Sequence, residues 1–138
     1  MIGVLVVTHG SIGESLLTGA AQILGSTPQQ VATLSVWRQD DPDDLVRRAR
    51  ELLEGLDVGD GVLVLTDIFG ATPGNVVSRL LKDGRIEGVS GASLPMLLRV
   101  LAARNGSLHL SLSDAVQRAL TGGAEGVVHM NTDRCLDA

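Results

Sequence analysis

The sequence predicts an α/β fold, a doubly wound three-layer sandwich on a mainly parallel sheet of about five strands. Apolar, strand-like runs alternate with helical patterns from end to end, as a parallel sheet with helices on both faces requires. Two of these runs, Ile2 to Val7 and Gly61 to Thr66, are apolar throughout, the pattern of strands covered on both sides. Glycine- and hydroxyl-bearing loops follow both of them. Right-handed crossovers, with the chain reversing direction between the first and third strands, give the order 2-1-3-4 followed by a last strand.

The first strand halts at Thr8-His9-Gly10-Ser11, and Leu16, Leu17, Ala20, Ala21, Ile23 and Leu24 then recur at helical spacing up to Gly25, a helix terminator. Val31 to Trp37 reads as a second, β-branched strand. Asp41 caps and Pro42 opens a second helix with the buried stripe Leu45, Val46, Ala49, Leu52, Leu53 and Leu56. Arg47, Arg48, Arg50 and Glu51 fall largely off that stripe and read as a solvated face. The third strand runs into Asp67-Ile68-Phe69-Gly70-Ala71-Thr72-Pro73-Gly74. There Thr72 as N-cap and Pro73 as first helical residue start a third helix that buries Val76, Val77, Leu80 and Leu81 and ends near Gly84. Ile86 to Ser90 is a short strand, Leu94 to Leu101 an apolar fourth helix closed by Asn105-Gly106. Ser113-Asp114 caps a fifth helix over about Ala115 to Thr121 that Gly122-Gly123 stop, and Gly126 to Met130 reads as the last strand.

The 138 residues fit one domain, residues 1 to 130, with 131 to 138 as a tail. Sixteen acidic against eleven basic side chains, a formal charge of −5, argue against a nucleic-acid footprint. The lone cysteine, Cys135, has no internal disulfide partner and suits a reducing compartment. The N-terminal apolar run is too short for a membrane span and has no basic leader, so a cytoplasmic protein is expected. Trp37 and Phe69 are the only aromatic residues, which leaves an aliphatic core and no stacking surface for bases or sugars.

The predicted topology brings His9 and Asp67 together at the switch point of the sheet, where such folds bind ligands. A histidine at a strand end is often purely structural. Here Gly10, Ser11 and Gly13 leave the ring accessible, and helix starts on both loops favour an anion, phosphate above all. A carboxylate at Asp67 accepting from one ring nitrogen fixes the tautomer and makes the other nitrogen a nucleophile. An imidazole of ordinary basicity, pKa about 6.5, is largely neutral near pH 7 and able to attack a phosphoryl donor without a metal. Ser11 and Thr72 read equally as caps or phosphate ligands, and Asp67 has the alternative of a turn carboxylate. His109 and His129 lack flanking glycine loops and read as structural. Neither a nucleotide-binding P-loop nor a hydrolase nucleophile elbow occurs.

Three segments in order, VLVVTHGSIGESLL, LVLTDIFGATPGNVVSRLL and GVSGASLPMLLRVL, together resemble the IIA domain of the mannose/fructose-type phosphoenolpyruvate-dependent sugar phosphotransferase system. The resemblance covers nearly the whole chain. It implies a transiently phosphorylated histidine at His9, charged by the phosphohistidine of the carrier protein HPr and discharged to a IIB component, with Asp67 orienting the ring. Backbone amides of Gly10, Gly70 and Ala71 and the Thr72 hydroxyl would surround the phosphate, with Ser11 a further contributor. Homodimers are implied too, the last strand, Gly126 to Met130, running antiparallel across the subunit interface and the fourth helix helping to pack it. The partner-binding face is expected around His9, with Phe69 as an exposed anchor. Two departures stand out. Ala71 occupies the place of a frequent glycine, and no IIB domain follows, which implies a separate acceptor or a regulatory role, with membrane contact only through other transporter components. A competing resemblance, to class II cobalt or nickel tetrapyrrole chelatases, uses a His-Gly-Ser turn for metal but calls for a second histidine on the same edge.

Overall fold

The computed structural model describes residues 1–106 and 109–133. Among them β1 (Gly3–His9), α1 (Ile12–Leu24), β2 (Val31–Val36), α2 (Pro42–Leu56), β3 (Val62–Thr66), α3 (Thr72–Ser78), β4 (Ile86–Ser90), α4 (Leu94–Gly106) and α5 (Leu112–Glu125) follow in order. The strands form one parallel sheet in the order β2-β1-β3-β4. Alternation of side chains along each strand divides the core into two layers. Val4, Val6, Leu63 and Leu65 pack under α1, α4 and α5, with Ala20, Leu97, Val100, Leu101 and Ala115 facing them. Leu5, Val7, Val62 and Val64 pack under α2 and α3, against Leu45, Val46, Ala49, Leu53, Val76 and Val77. The three-layer sandwich and the predicted strand order both hold. No helix among the described residues is long and apolar enough to cross a membrane.

The first two helices end and begin where the sequence places them. Gly25 closes α1 with φ 78°, and Asp41 caps α2 by accepting from the Asp43 N–H at 3.1 Å. Four expectations need correction. Thr72 is the first residue of α3 rather than its cap; Ala71 holds the cap position, and the helix ends at Ser78, leaving Leu81 exposed. The cap of α5 is Ser111, whose hydroxyl accepts from the Asp114 N–H at 3.0 Å, two residues before the predicted pair. Gly122 and Gly123 continue that helix instead of stopping it. They serve close packing: a Cβ on Gly122 would lie 2.7 Å from the Arg99 Cβ on α4, so glycine is what lets the two helices approach.

The fourth correction is larger. Gly126 to Met130 is not a strand in this chain, because a strand exists only by pairing and β4, already bonded to β3, lies across the sheet edge without it. Val127 and Met130 are instead exposed, and His129 begins a turn in which its Nδ1 lies 2.9 Å from the Thr132 hydroxyl. Cys135 lies outside the described residues.

One buried charge organises the end of the sheet remote from the strand C-termini. Arg104, near the end of α4, is only 4% exposed and donates from Nη1 to the carbonyls of Ile2 at 3.1 Å and Gln30 at 3.2 Å, and from Nη2 to Gln29. Burial pushes its pKa down from the ordinary arginine value. The bonds hold the entries to β1 and β2, including Gln30 in a left-handed conformation with φ 55°. Arg104→Ala removes these donors, leaving the Gln30 carbonyl only the Val4 N–H, and is expected to lower the unfolding free energy by about 3 kcal/mol, read from the urea midpoint. A change within about 0.5 kcal/mol would mean that water replaces the guanidinium freely.

Candidate functional site

β1 and β3 are direct neighbours in register, Val7 opposite Thr66, so their C-terminal extensions emerge side by side. The chain leaves β1 toward β2 on one side and β3 toward β4 on the other, which opens a crevice between the two loops. His9 and Asp67 meet there. Asp67 Oδ2 lies 2.8 Å from His9 Nδ1 and also accepts the His9 backbone N–H at 3.1 Å. Asp67 Oδ1 accepts the Ile68 N–H at 3.1 Å. The carboxylate is thus fixed by main-chain donors before it orients the ring.

The two side chains differ in exposure, 48% for His9 against 12% for Asp67. Burial pushes the Asp67 carboxyl up, yet the side-chain and backbone hydrogen bonds from His9 and its own amide outweigh it and hold the group below the ordinary carboxylate value. Asp67 therefore remains an ionised acceptor throughout the neutral range. An ionised acceptor assigns the proton of a neutral ring to Nδ1 and leaves the lone pair on Nε2, the nitrogen away from Asp67.

Local sequence builds both loops. Thr8, the last buried residue of β1, turns its hydroxyl back to accept the Gly13 N–H at 2.8 Å, which ties the first turn of α1 to the strand. Sequence reasoning passed over Thr8; its signal is a polar residue ending an apolar strand one place before the histidine. Gly10 turns the chain with φ 50°, and its N–H donates to the Val36 carbonyl at 2.9 Å. Ser11 holds the cap position of α1 but makes no capping bond with its side chain, and Thr72, exposed at the start of α3, is not a cap at all. Both hydroxyls are therefore excluded from the capping role that competed with phosphate binding. Gly70 and Ala71 lie on the loop leading into α3, and Phe69 beside them is 82% exposed.

The structure thus brings His9 and Asp67 together from adjacent loops, with Gly10 and Ser11 on the loop after β1 and Gly70 and Ala71 on the loop after β3 that leads to Thr72. His109 lines a cavity with Met1, Gly59 and Asp60, at the opposite end of the sheet from His9, and His129 follows α5 with its Nδ1 turned to the Thr132 hydroxyl. Among the described residues no group of three or more His, Cys, Asp or Glu side chains could hold a metal ion.

Comparison with known proteins adds four findings. Residues 3–120 match the family model described as PTS system fructose IIA component. The chain is 32% identical over 127 residues to the PTS system mannose-specific EIIAB component of Escherichia coli (strain K12), covering 91% of this chain and 38% of that relative. It is 30% identical over 115 residues to the PTS system fructose-specific EIIA component of Bacillus subtilis (strain 168), covering 83% of this chain and 76% of the relative. Among solved structures, the phosphotransferase system component EIIA from Streptococcus agalactiae superposes with a TM-score of 0.83 at 27% identity, over 96% of this chain and 99% of the other.

Proposed function

The chain belongs to the fructose/mannose IIA family of the sugar phosphotransferase system, and from that premise we propose that it is a phosphoryl carrier whose acceptor is His9. The observation that carries the reading is the double contact of one Asp67 oxygen with the Nδ1 and the backbone N–H of His9. In the forward step the Nε2 lone pair attacks the phosphorus of phosphohistidine on HPr. The donor P–N bond breaks, and its electron pair returns to the donor imidazole. The new P–N bond leaves His9 with its proton still on Nδ1 and a positive ring, which the Asp67 carboxylate stabilises. Nothing in the step consumes a proton or calls for a metal. His109, one candidate for the second imidazole that the chelatase reading calls for, lies at the far end of the sheet.

The phosphate on Nε2 is held by Ser11 on one side and by Gly70, Ala71 and Thr72 on the other, the two hydroxyls being uncommitted to capping; the Gly10 N–H, expected among the phosphate donors, is instead taken by the Val36 carbonyl, so Gly10 shapes the turn without donating. Phe69, exposed on the loop after β3, serves as an apolar anchor for the partner proteins. HPr supplies the phosphoryl group, and a IIB component or a regulated partner receives it; we place these encounters in the cytoplasm. The direct test is incubation with HPr, the system's first enzyme and phosphoenolpyruvate. One acid-labile phosphoryl group per chain is expected by mass spectrometry, and absence of the added mass would refute the carrier role.

The same reading makes the protein a homodimer. β4 is an edge strand, and a groove of about 330 Å³ lined by Val77, Leu81, Val89, Val116 and Leu120 runs beside it. The exposed apolar segment Gly126 to Met130 of a second copy fits there as an antiparallel strand. Sedimentation is expected to give a dimer, and Val127→Asp combined with Val128→Asp to shift it toward monomer; a monomeric wild type would remove the assembly.

A further inference from the structure

We propose that Trp37 is a positioning residue of the phosphoryl site, holding the Gly10 turn so that His9 keeps the ring geometry transfer needs; this rests on the reading of His9 as the phosphoryl acceptor. The parallel register pairs His9 with Val36, so the residue after β2 is carried alongside the residue after β1. That residue is the only tryptophan of the chain. A Cβ placed on Gly10 would lie 3.2 Å from Trp37 Cζ3, 3.4 Å from Cη2 and 3.9 Å from Cε3, so the benzo edge of the indole rests against the turn.

Trp37 is itself fixed. Its backbone N–H donates to Asp40 Oδ2 at 2.8 Å, and the Asp40 N–H returns to the Trp37 carbonyl at 3.0 Å, closing a short turn. The indole is nevertheless 51% exposed. A side chain placed for core packing alone would bury more of its large apolar area. Its benzo edge lies against a glycine next to the acceptor histidine.

Glycine at Gly10 makes the turn possible and also leaves it free, since a residue without Cβ visits both signs of φ. The Gly10 N–H bond to Val36 holds one side of the turn, and the indole edge covers another. A displaced Gly10 turn would pull on the end of β1 and on the His9 Cα that carries the ring, and so loosen the two contacts His9 makes with the single Asp67 oxygen. Neutral imidazole in water prefers its proton on Nε2, so a ring released from Asp67 loses the Nε2 lone pair as well as its aim.

The test compares full-length wild type, Trp37→Ala and Trp37→Phe labelled with ¹⁵N-histidine. Ring-nitrogen shifts at a pH above the imidazole transition report the tautomer of His9, and phosphoryl transfer from phospho-HPr gives kcat and KM. In wild type the Nδ1–H form is expected to dominate. Trp37→Ala should shift His9 toward Nε2–H and lower kcat about tenfold or more, with a smaller change in KM, while Trp37→Phe restores most of both. A folded Trp37→Ala protein that keeps the Nδ1–H tautomer overturns the proposal, including the case where only KM rises and Trp37 is a docking contact. Should the alanine variant not fold, Trp37→Leu takes its place under the same criteria. The tautomer measurement needs no donor protein. If wild type accepts no phosphate, the carrier reading falls, and the ring-nitrogen shifts still decide whether Trp37 positions His9.

Discussion

His9→Ala is expected to abolish the acid-labile phosphoryl adduct completely while leaving the fold and thermal midpoint close to wild type. The side chain ends a strand and is about half exposed, so its removal opens no cavity in either core layer. A stability change within about 0.5 kcal/mol is the expectation for such a position. Asp67 loses its ring partner but keeps the His9 and Ile68 backbone N–H groups, so the loop retains its main-chain anchors. Mass spectrometry and circular dichroism on one preparation check both halves of this result. Label that survives the substitution would move the acceptor to another nucleophile and dismantle the site described above.

Asp67→Asn should slow phosphoryl acceptance on the order of 10²-fold, the scale on which the partner that orients a functional histidine acts. The substitution is nearly isosteric, so the loss is electronic. An amide offers an N–H as well as a carbonyl to Nδ1, which admits the tautomer whose Nε2 carries the proton, and it cannot offset the charge of the phosphorylated ring. Rapid-quench labelling from phospho-HPr measures the rate, and a rate within threefold of wild type would remove Asp67 from the mechanism. A pH effect accompanies it. A carboxyl held below its ordinary value in the folded protein contributes stability above that value, 3.8, which is lost as pH falls through the lower folded pKa. Asp67→Asn has no such proton to bind, so its stability should decline less steeply than that of wild type as the solution is acidified past that point.

Much of this site was legible in the sequence because it hangs on strand ends. An apolar run that stops at His9 and another that stops before Asp67 fix two loops, and the crossover rule puts those loops on one edge. What stayed hidden depends on packing between elements distant in sequence. Gly122-Gly123 resembles a helix stop until Arg99 is seen pressed against it. Trp37 looks like the last residue of a strand, and its place over Gly10 follows only from the pairing of His9 with Val36. Gly126 to Met130 has the apolar character of a strand but no partner among the described residues of its own chain. Arg104 did leave a signal: it continues the spacing of Leu97, Val100 and Leu101, and a cation on a buried stripe needs acceptors waiting for it.

The single Asp67 oxygen that meets two nitrogens of His9 bears on timing as well as direction. A molecule that relays a group must take it and surrender it with comparable ease. An ordinary imidazole would have to freeze its side-chain rotation at each hand-over, an entropic toll that recurs on every cycle. Here the ring is already turned before either encounter, and the atom that turns it is anchored to the main chain. Such preorganisation spares both arrival and departure that toll, while the charge of the same carboxylate favours the phosphorylated ring. In the proposed relay the net direction is then set by the relative charging of the proteins on either side together with that electrostatic preference.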